Sequence, residues 1–318
     1  MKTFNWGLLG TGSIARSMAD ALQHVPGALR AAVASRTQAK ADAFAARWGV
    51  ATAHGSYAAL FADPAVEIVY IATPNACHKD NILDAIAAGK HVLCEKPLTL
   101  SEVDSRACAA AARKAGLFLM EAMWTAFFPA TRKAVAFVQE GAIGTPRHLT
   151  ANFVAFRDPS AFPNLYDPAL GGGASLDLGI YPVTIAQLLA GPVASASAQA
   201  VVGTTGVDEM VAMSLTHESG VLSQLSFGFR VDMPVAATVV GDSGTLEIPH
   251  SFHHPERLIR TGKRTRDVID LPAIGNGYAH EAIAVQRCIA EGRIESPDWT
   301  LENTFACARL VAIANPAA

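Results

Sequence analysis

The chain has 318 residues, of which 51% are hydrophobic and 17% are charged, and its formal net charge is -3. This balance excludes a disordered chain and supplies enough apolar surface for two folded domains. The small negative charge and the lack of a basic block argue against nucleic acid or an anionic membrane as the main partner.

The cysteine pattern and the N-terminus indicate a compartment. The five cysteines are odd in number and form no CxxC pair, which is typical of reducing conditions. The N-terminus lacks the regions of a secretory signal, and no uninterrupted apolar run reaches about 18 residues. We therefore expect a cytoplasmic protein that does not span a membrane.

A glycine-rich turn follows the first predicted strand. Residues 6–9 are an apolar run, and Gly10-Thr-Gly-Ser-Ile-Ala15 leads from it into a helical pattern. In Gly-x-Gly-x-x-Ala, the first glycine makes the tight turn, the second admits a pyrophosphate, and the alanine lets helix and strand pack closely. An ordinary tight turn is the alternative. The candidate cofactor contacts are Gly10, Thr11, Gly12, Ser13 and Ile14.

The second strand ends in a sequence that favours NADP over NAD. Residues 29–34 are followed by Ser35-Arg36-Thr37, where an NAD enzyme would usually carry an acid for the ribose 2′-hydroxyl. Ser35 and Arg36 suit a 2′-phosphate instead, because a guanidinium can donate two hydrogen bonds to it. NAD, with Arg36 as a solvated loop charge, is the alternative.

Two further predicted strands also end in polar residues. The β-branched run 66–72 is followed by Thr73, Pro74 and Asn75, with His78 one turn later. The run 91–94 stops at Glu95-Lys96-Pro97, three residues that a strand interior disfavours. His78 is equally consistent with a helix-start histidine that bonds to local backbone.

Strands that alternate with helices at this spacing predict a parallel sheet with right-handed crossovers. All carboxyl ends of a parallel sheet lie at one edge, so the four segments that follow these strands should converge there. This convergence favours a functional Lys96 over a solvated strand end. The segments are Gly10–Ala15, Arg36, Thr73–Asn75 and Glu95–Pro97.

Three motifs together resemble the Gfo/Idh/MocA oxidoreductase family, and the resemblance covers nearly the whole chain. They are Gly10-x-Gly-x-x-Ala15, Ala72-Thr-Pro-Asn-x-x-His78 and Ala88-Gly-Lys-His-Val-Leu-Cys-Glu-Lys-Pro97. The resemblance implies an α/β fold, with an N-terminal Rossmann doubly wound parallel sheet and a C-terminal α+β domain built on an open, mostly antiparallel sheet. We expect the NAD(P)-binding domain at 1–122 and the substrate-binding and dimerisation domain at 123–318.

The same resemblance implies hydride transfer with NAD or NADP. It gives Lys96 as the residue that contacts cofactor and substrate, with Glu95 beside it, and a cis bond before Pro97. Residues 121–129 form an apolar cluster that suits either a pocket wall or domain-interface core. The sequence of this cluster resembles the matching segment of the dihydrodiol and sugar dehydrogenase branch of the family. In that branch a tryptophan lines the substrate cavity, and the resemblance implies this role for Trp124.

Two residues in the second half complete the expected site. Asp177 and Tyr181 are four apart and share a face if the segment is helical, although Pro182 predicts an irregular helix there. The family has an aspartate at this place and a tyrosine or histidine four residues later, so the resemblance implies that Lys96, Asp177 and Tyr181 are catalytic. A helix-capping aspartate and a half-buried interface tyrosine are the alternative.

The rest of the chain completes the prediction. We add Phe156 and Arg157, at the end of a strand within 143–156, to the candidate substrate pocket. Strand-like runs between 193 and 248 predict an antiparallel sheet whose outer face could form a homo-oligomer. The histidines of 250–254 have no carboxylate or cysteine at ligand spacing, so no metal is expected. For His280 and Glu281 we favour interface salt bridges over substrate contact.

We expect the protein to oxidise a secondary alcohol of a sugar, polyol or dihydrodiol, or to reduce the matching carbonyl. Tyr181 would exchange the hydroxyl proton, with the Lys96 cation favouring tyrosinate and Asp177 orienting Lys96 or a substrate hydroxyl. Redox-neutral glycoside hydrolysis with a tightly bound cofactor and a non-catalytic NADP-binding sensor are the alternatives.

Overall fold

The computed structural model describes residues 2–314. The described chain divides into two compact units. The first contains the residues up to Met123 together with Ile274–Thr304, and the second contains Trp124–Ala273 together with the residues from Phe305 onward. The expected domains assigned 274–304 to the second half, whereas the structure places this segment in the first unit. Residues 1 and 315–318 of those expected domains lie outside the described residues.

The first unit is built on a parallel sheet. Its strands are β1 (Phe4–Leu9), β2 (Ala28–Ala34), β3 (Thr52–His54), β4 (Ile68–Ile71), β5 (His91–Glu95) and β6 (Leu119–Ala122). They pair in parallel in the order β3-β2-β1-β4-β5-β6. Nearly every side chain of β1, β4 and β5 is buried, as central strands covered on both faces require. The chain order reverses at β1, and ligands of such sheets bind at the carboxyl ends of the strands at this switch point.

Helices connect these strands and begin and end at residues that the sequence specifies. They are α1 (Ser13–Ala21), α2 (Gln38–Trp48), α3 (Tyr57–Ala62), α4 (His78–Ala87) and α5 (Glu102–Ala115). Helix α5 shows the local rules: the Ser101 side chain accepts a hydrogen bond from the N–H of Asp104, and Gly116 ends the helix in the left-handed region.

The second unit is built on an eight-stranded sheet. Its strands are β7 (Pro146–Val154), β8 (Val193–Val202), β9 (Asp208–His217), β10 (Leu222–Gly228), β11 (Ala236–Gly241), β12 (Gly244–Ile248), β13 (Arg257–Gly262) and β14 (Arg266–Asp270). The order is β14-β13-β12-β11-β7-β10-β9-β8, and every neighbouring pair is antiparallel except β7 with β10. Burial alternates along β9 and β10, so one face of the sheet belongs to the core. The two sheets confirm the expected fold class.

Helix α6 (Pro129–Gln139) and helix α7 (Ile180–Ala190) belong to the second unit. A turn of π-helix, Ser175–Gly179, leads directly into α7. The irregularity predicted from Pro182 is confirmed, because proline has no N–H to donate and the chain takes a wider turn just before it.

Helix α7 is almost entirely buried. In the described chain, one helical stretch, Pro168–Ala190, has the length and apolar composition to cross a membrane, and 89% of its most apolar window is buried within the protein. Such burial is typical of a core helix. Helix α8 (Ala279–Ala290) lies in the first unit, and α9 (Leu301–Ala312) contains the point at which the two units divide.

The first two glycines of the turn after β1 offer a matched test of the fold. Gly10 has φ +109°, and a Cβ there would lie 2.7 Å from the backbone oxygen of Ala72, whereas no atom lies within 4 Å of a Cβ at Gly12. We expect Gly10→Ala to lower the free energy of unfolding by about 1–3 kcal/mol, because alanine is strained at this φ and the Ala72 oxygen cannot yield. Urea denaturation should show Gly12→Ala within about 1 kcal/mol of the wild type. Equal losses in the two variants would contradict this reading of the turn.

Candidate active site

The turn after β1 has the open helix start that a pyrophosphate requires. Gly12 is the N-cap of α1 and makes no side-chain capping hydrogen bond. Gly12, Ser13 and Ile14 are exposed, so the unpaired N–H groups and the positive end of the helix dipole face outward. The described residues of this turn therefore fit the phosphates of a dinucleotide.

Ser35 and Arg36 lie at the carboxyl end of β2, next to this turn. Ser35 is buried, and its hydroxyl oxygen is 3.5 Å from the Oγ1 of Thr11. Arg36 is exposed and close to α3, since its guanidinium charge opposes the rise that burial causes in the pKa of Tyr57. A phosphate contact for Arg36 stays a prediction, and its exposure leaves the guanidinium accessible.

His78 is a buried bridge between the loops after β4 and β5. Its Nδ1 lies 2.8 Å from the carbonyl oxygen of Pro97, and its Nε2 lies 2.9 Å from that of Thr73. Burial lowers the pKa of His78, and the two carbonyl oxygens oppose that fall. Asn81 adds a donor to the Thr73 hydroxyl at 2.9 Å, so the loop of Thr73, Pro74 and Asn75 is held from within. A direct cofactor contact by His78, or by the loop, stays a prediction.

A buried carboxylate lies under the backbone of Lys96. The Tyr70 hydroxyl donates to one oxygen of Glu95, and the other oxygen accepts the Lys96 N–H at 3.3 Å. Burial raises the pKa of Glu95 to about 7, while the Tyr70 hydrogen bond and the Lys96 charge oppose the rise. The Lys96–Pro97 bond is cis, as the family resemblance implied.

A second carboxylate, Glu121 in β6, holds the next residue of this turn. Its oxygens accept from the Leu98 N–H at 2.9 Å, the Trp299 indole N–H at 3.0 Å and the Thr304 hydroxyl at 2.8 Å. Burial raises the pKa of Glu121, and these three donors oppose the rise. The turn is therefore held at Lys96 by Glu95, which the sequence had singled out, and at Leu98 by Glu121, which the sequence gave no reason to single out.

Glu281 differs from its sequence-based interpretation. We favoured an interface salt bridge, yet within the described residues Glu281 is fully buried and neither carboxylate oxygen has a hydrogen-bond partner. Burial raises its pKa well above the usual range, and the nearby Glu95 charge raises it further. Since no cation or donor reaches this carboxyl among the described residues, the salt-bridge expectation was wrong for Glu281. His280 accepts the N–H of Ile274 at 3.1 Å.

In the second unit a buried aspartate starts the helical segment that contains Asp177 and Tyr181. Asp208, at the start of β9, accepts from the N–H of Ser175 at 2.7 Å and from its hydroxyl at 2.8 Å. The other Asp208 oxygen would lie 2.4 Å from a Cβ at residue 173, where φ is +115°, so only glycine fits there. Asp177 follows in the π-helical turn and is half-buried, and Tyr181 lies in the first turn of α7 with 8% exposure.

Aromatic rings surround Tyr181. The ring of Phe153 in β7 is 5.5 Å from it, and the ring of His253 is 5.3 Å from it. Trp124 packs edge-on against Phe128 at 5.3 Å and lies 6.1 Å from His253. The sequence did not single out Phe153, although its inward place in an alternating strand was a usable signal. His253 appeared there only as part of a histidine run considered for metal binding.

Phe156 and Arg157, the two pocket candidates after β7, lie outside the strand and away from the Tyr181 ring contacts described above. Phe156 is 53% exposed, and the Arg157 guanidinium lies over the ring of Phe162 at 5.4 Å. Both residues follow Val154, the last residue of β7, so strand alternation no longer directs their side chains. Their place in a substrate pocket stays a prediction, and Phe153 is the residue of this segment whose ring contacts Tyr181.

The structure thus forms two groups of candidate residues. The first unit brings the Gly10 turn, Ser35, Thr73, His78 and the Lys96 turn to the carboxyl edge of one sheet. The second unit contains Trp124, Asp177 and Tyr181. Among residues 2–314, no three His, Cys, Asp or Glu side chains are grouped so that they could hold a metal ion.

Two family models match the chain. Residues 4–123 match the Gfo/Idh/MocA oxidoreductase family model with an NAD-binding Rossmann fold, and residues 131–247 match the model of the Gfo/Idh/MocA C-terminal domain. The chain is 35% identical over 304 residues to trans-1,2-dihydrobenzene-1,2-diol dehydrogenase of Mus musculus, covering 92% of this chain and 90% of that protein. It is 32% identical to the Xenopus laevis protein of the same name, covering 94% and 93%.

Solved structures give the same result. A 3-ketoreductase from Actinomadura kijaniata, in complex with TDP-benzene and NADP, superposes with a TM-score of 0.86 at 29% identity and covers 98% of this chain and 97% of that one. Variants of that enzyme with lysine replaced by alanine, and with tyrosine replaced by phenylalanine, have also been solved with TDP-benzene and NADP. A levoglucosan dehydrogenase with NADH and levoglucosan shares the fold, with a TM-score of 0.89 at 21% identity, and covers 98% of this chain and 96% of that one.

Asp208 gives a pH-dependent prediction. Burial raises its pKa from 3.8 to about 6, while the Ser175 hydrogen bonds oppose the rise. The folded protein therefore binds this proton more tightly than the unfolded chain, so the stabilisation is complete below the unfolded pKa and is lost as the pH rises through about 6. Relative to Asp208→Asn, the wild type should lose up to about 3 kcal/mol of unfolding free energy between about pH 4 and pH 7.

Urea denaturation of both proteins across this pH range measures the difference. Asp167→Asn, in a turn where the aspartate caps the N–H of Ala169 at 2.9 Å, controls for the loss of a carboxylate as such. Parallel stability curves for the wild type and Asp208→Asn would show that Asp208 does not titrate in this range.

Proposed function

Because the chain belongs to the Gfo/Idh/MocA oxidoreductase family, we propose that it transfers a hydride between a nicotinamide cofactor and the secondary alcohol or carbonyl carbon of a sugar, polyol or dihydrodiol. The observation that carries this proposal is the match to dihydrodiol dehydrogenases along more than nine-tenths of both chains. The 3-ketoreductase with NADP extends the likeness to the reduction of a ketone.

NAD(P) is the cofactor of this family domain, and it supplies the hydride donor or acceptor. The backbone N–H groups of Gly10–Ile14 would hold its pyrophosphate at the start of α1. Ser35 and Arg36 would hold a 2′-phosphate, which favours NADP. Support comes from the exposed Arg36 guanidinium and from the lack of an acid in the sequence at 35–37. Thr73–Asn75, His78, Glu95 and Lys96 are the proposed contacts towards the nicotinamide end.

Tyr181 is the proposed proton-exchanging residue. A free tyrosine, with a pKa of about 10, is a poor base near neutral pH. A cation such as the Lys96 ammonium favours tyrosinate, and Asp177 would orient that ammonium or a substrate hydroxyl. In the related 3-ketoreductase, one lysine and one tyrosine have been replaced and the variants solved, which supports the choice of a lysine and a tyrosine here. A fixed turn around Lys96 is supported by Glu95, which accepts the Lys96 N–H, and by Glu121, which accepts the Leu98 N–H.

We further infer that the protein works in the cytoplasm as a homo-oligomer and needs neither nucleic acid nor a membrane. The odd number of cysteines without a CxxC pair supports a reducing compartment. The outer face of the second sheet supports an interface, because it exposes large apolar side chains. They are Val201, Leu222, Val240 and Val268.

Replacing Tyr181 tests the proposed function directly. We expect Tyr181→Phe to slow hydride transfer by about 10²–10⁴-fold, because the variant keeps the ring and loses the proton-exchanging hydroxyl. Single-turnover kinetics followed by nicotinamide absorbance measure this step on a panel of dihydrodiols, polyols and sugars. Tyr166→Phe, which removes only a hydrogen bond to the Arg157 carbonyl, is the matched control. An unchanged rate in Tyr181→Phe would remove this residue from the mechanism.

Cofactor preference is tested at Arg36. Arg36→Ala should weaken NADP binding by about 10–100-fold and NAD binding by much less, because a hydrogen-bonded charge contributes about 1.5–3 kcal/mol. Fluorescence titration of both cofactors gives the two dissociation constants, with the exposed charge of Lys40 removed by Lys40→Ala as control. Equal losses for NADP and NAD would reject a 2′-phosphate role for Arg36.

A further inference from the structure

Two neighbouring histidines in the second unit have different ring contacts. The ring of His253 lies 5.3 Å from that of Tyr181 and stacks on Phe153 at 4.3 Å with an interplanar angle of 28°. The ring of His254 lies 5.5 Å from Trp124 and 6.4 Å from Phe128. Both histidine rings lie near Trp124, and His253 in addition lies beside the proposed proton-exchanging residue.

The backbone around His253 is tightly constrained. The buried hydroxyl of Thr125 donates to the carbonyl oxygen of His253 at 2.6 Å, and the N–H of His254 bonds to the carbonyl oxygen of Ser251 at 2.8 Å. The residue before His253 is the fully buried Phe252, whose ring packs edge-on against Phe153 at 6.2 Å. These contacts fix the place of the His253 ring.

This constraint includes backbone strain. His250 and Ser251 have φ values of 50° and 42°, which residues other than glycine rarely adopt. Such strain persists only where the surrounding structure enforces it, and it concentrates at ligand-binding and active sites. The strained turn before His253 is therefore typical of a segment that holds a functional side chain in place, and we take that side chain to be His253.

Imidazole chemistry suggests what that side chain presents. A neutral imidazole has one donor and one acceptor nitrogen, so it can bind a hydroxyl group in either direction. A substrate hydroxyl that exchanges its proton with Tyr181 leaves the neighbouring carbon close to the tyrosine. A second hydroxyl on that carbon would come within reach of a ring centred 5.3 Å from the tyrosine ring. Phe153 and Trp124 offer flat apolar surface for the carbon skeleton.

We propose that His253 is the residue that recognises the hydroxyl next to the reacting carbon, so that the enzyme prefers vicinal diols and their α-hydroxy carbonyl products to isolated alcohols. This inference rests on the proposed function, because it takes Tyr181 as the residue at the reacting carbon. A site that hydrogen-bonds a substrate hydroxyl discriminates strongly against an analogue that lacks it, since its own polar group is then left unpaired.

The test compares a vicinal diol with its deoxygenated counterpart. We use trans-cyclohexane-1,2-diol against cyclohexanol, and a pyranose against the same sugar lacking the adjacent hydroxyl, with NADP and NAD. His253→Phe keeps the stack on Phe153 and removes the hydrogen-bonding nitrogens. We expect the ratio of kcat/KM for diol over alcohol to fall by at least about tenfold, with kcat/KM for the alcohol changed by less than about threefold.

Two further variants make the result specific. His253→Gln retains a donor and an acceptor and should recover part of the diol preference. His254→Phe is the matched control at the neighbouring position and should keep the wild-type ratio. Thermal unfolding confirms that each variant is folded.

The outcomes separate this inference from the proposed function. Equal loss on diol and alcohol in His253→Phe, or the same fall of the ratio in His254→Phe, overturns the role of His253 alone. A wild type that oxidises both compounds equally well also overturns it alone. Failure of the wild type to reduce either cofactor with any diol, polyol or sugar overturns the proposed function together with the inference.

Discussion

Two buried carboxylates under one turn are the constraint on which the first unit depends. Glu95 accepts from Tyr70 and from the Lys96 N–H, and Glu121 accepts from Leu98 and from two side chains of the returning segment. A carboxylate removed from water costs several kcal/mol unless donors surround it, so each donor is required where it stands. The turn is thereby limited to one conformation, and Lys96 begins from a fixed backbone.

The second unit uses the same principle at the start of a helix. Asp208 is buried, and it bonds to both the N–H and the hydroxyl of Ser175, two residues before Asp177. The helix then reaches Tyr181, whose ring lies beside the stacked rings of Phe153 and His253. Rigid elements that hold reactive side chains lower the cost of organising them during reaction. In both units, therefore, a buried acid accepts hydrogen bonds that fix the backbone near a candidate catalytic residue.

The sequence predicted those parts of the site that local signals specify. Alternating strands and helices predicted the shared sheet edge, and the spacing of Asp177 and Tyr181 with Pro182 predicted an irregular helix. The supporting residues could not be found in this way, because their partners are remote: Glu121 and Trp299 are separated by 178 positions, and Ser175 and Asp208 by 33. The return of 274–304 to the first unit has the same cause, since nothing local marks which sheet a helix packs on.

Transfer of deuterium from substrate to cofactor tests the central claim of hydride transfer most directly. A diol deuterated at its carbinol carbons is incubated with the protein and NADP, and the isolated cofactor is analysed by mass spectrometry and NMR. We predict one deuterium at the reactive nicotinamide carbon for each molecule of ketone formed. Consumption of substrate without deuterium in the released cofactor would contradict a net dehydrogenase and support a redox-neutral reaction instead.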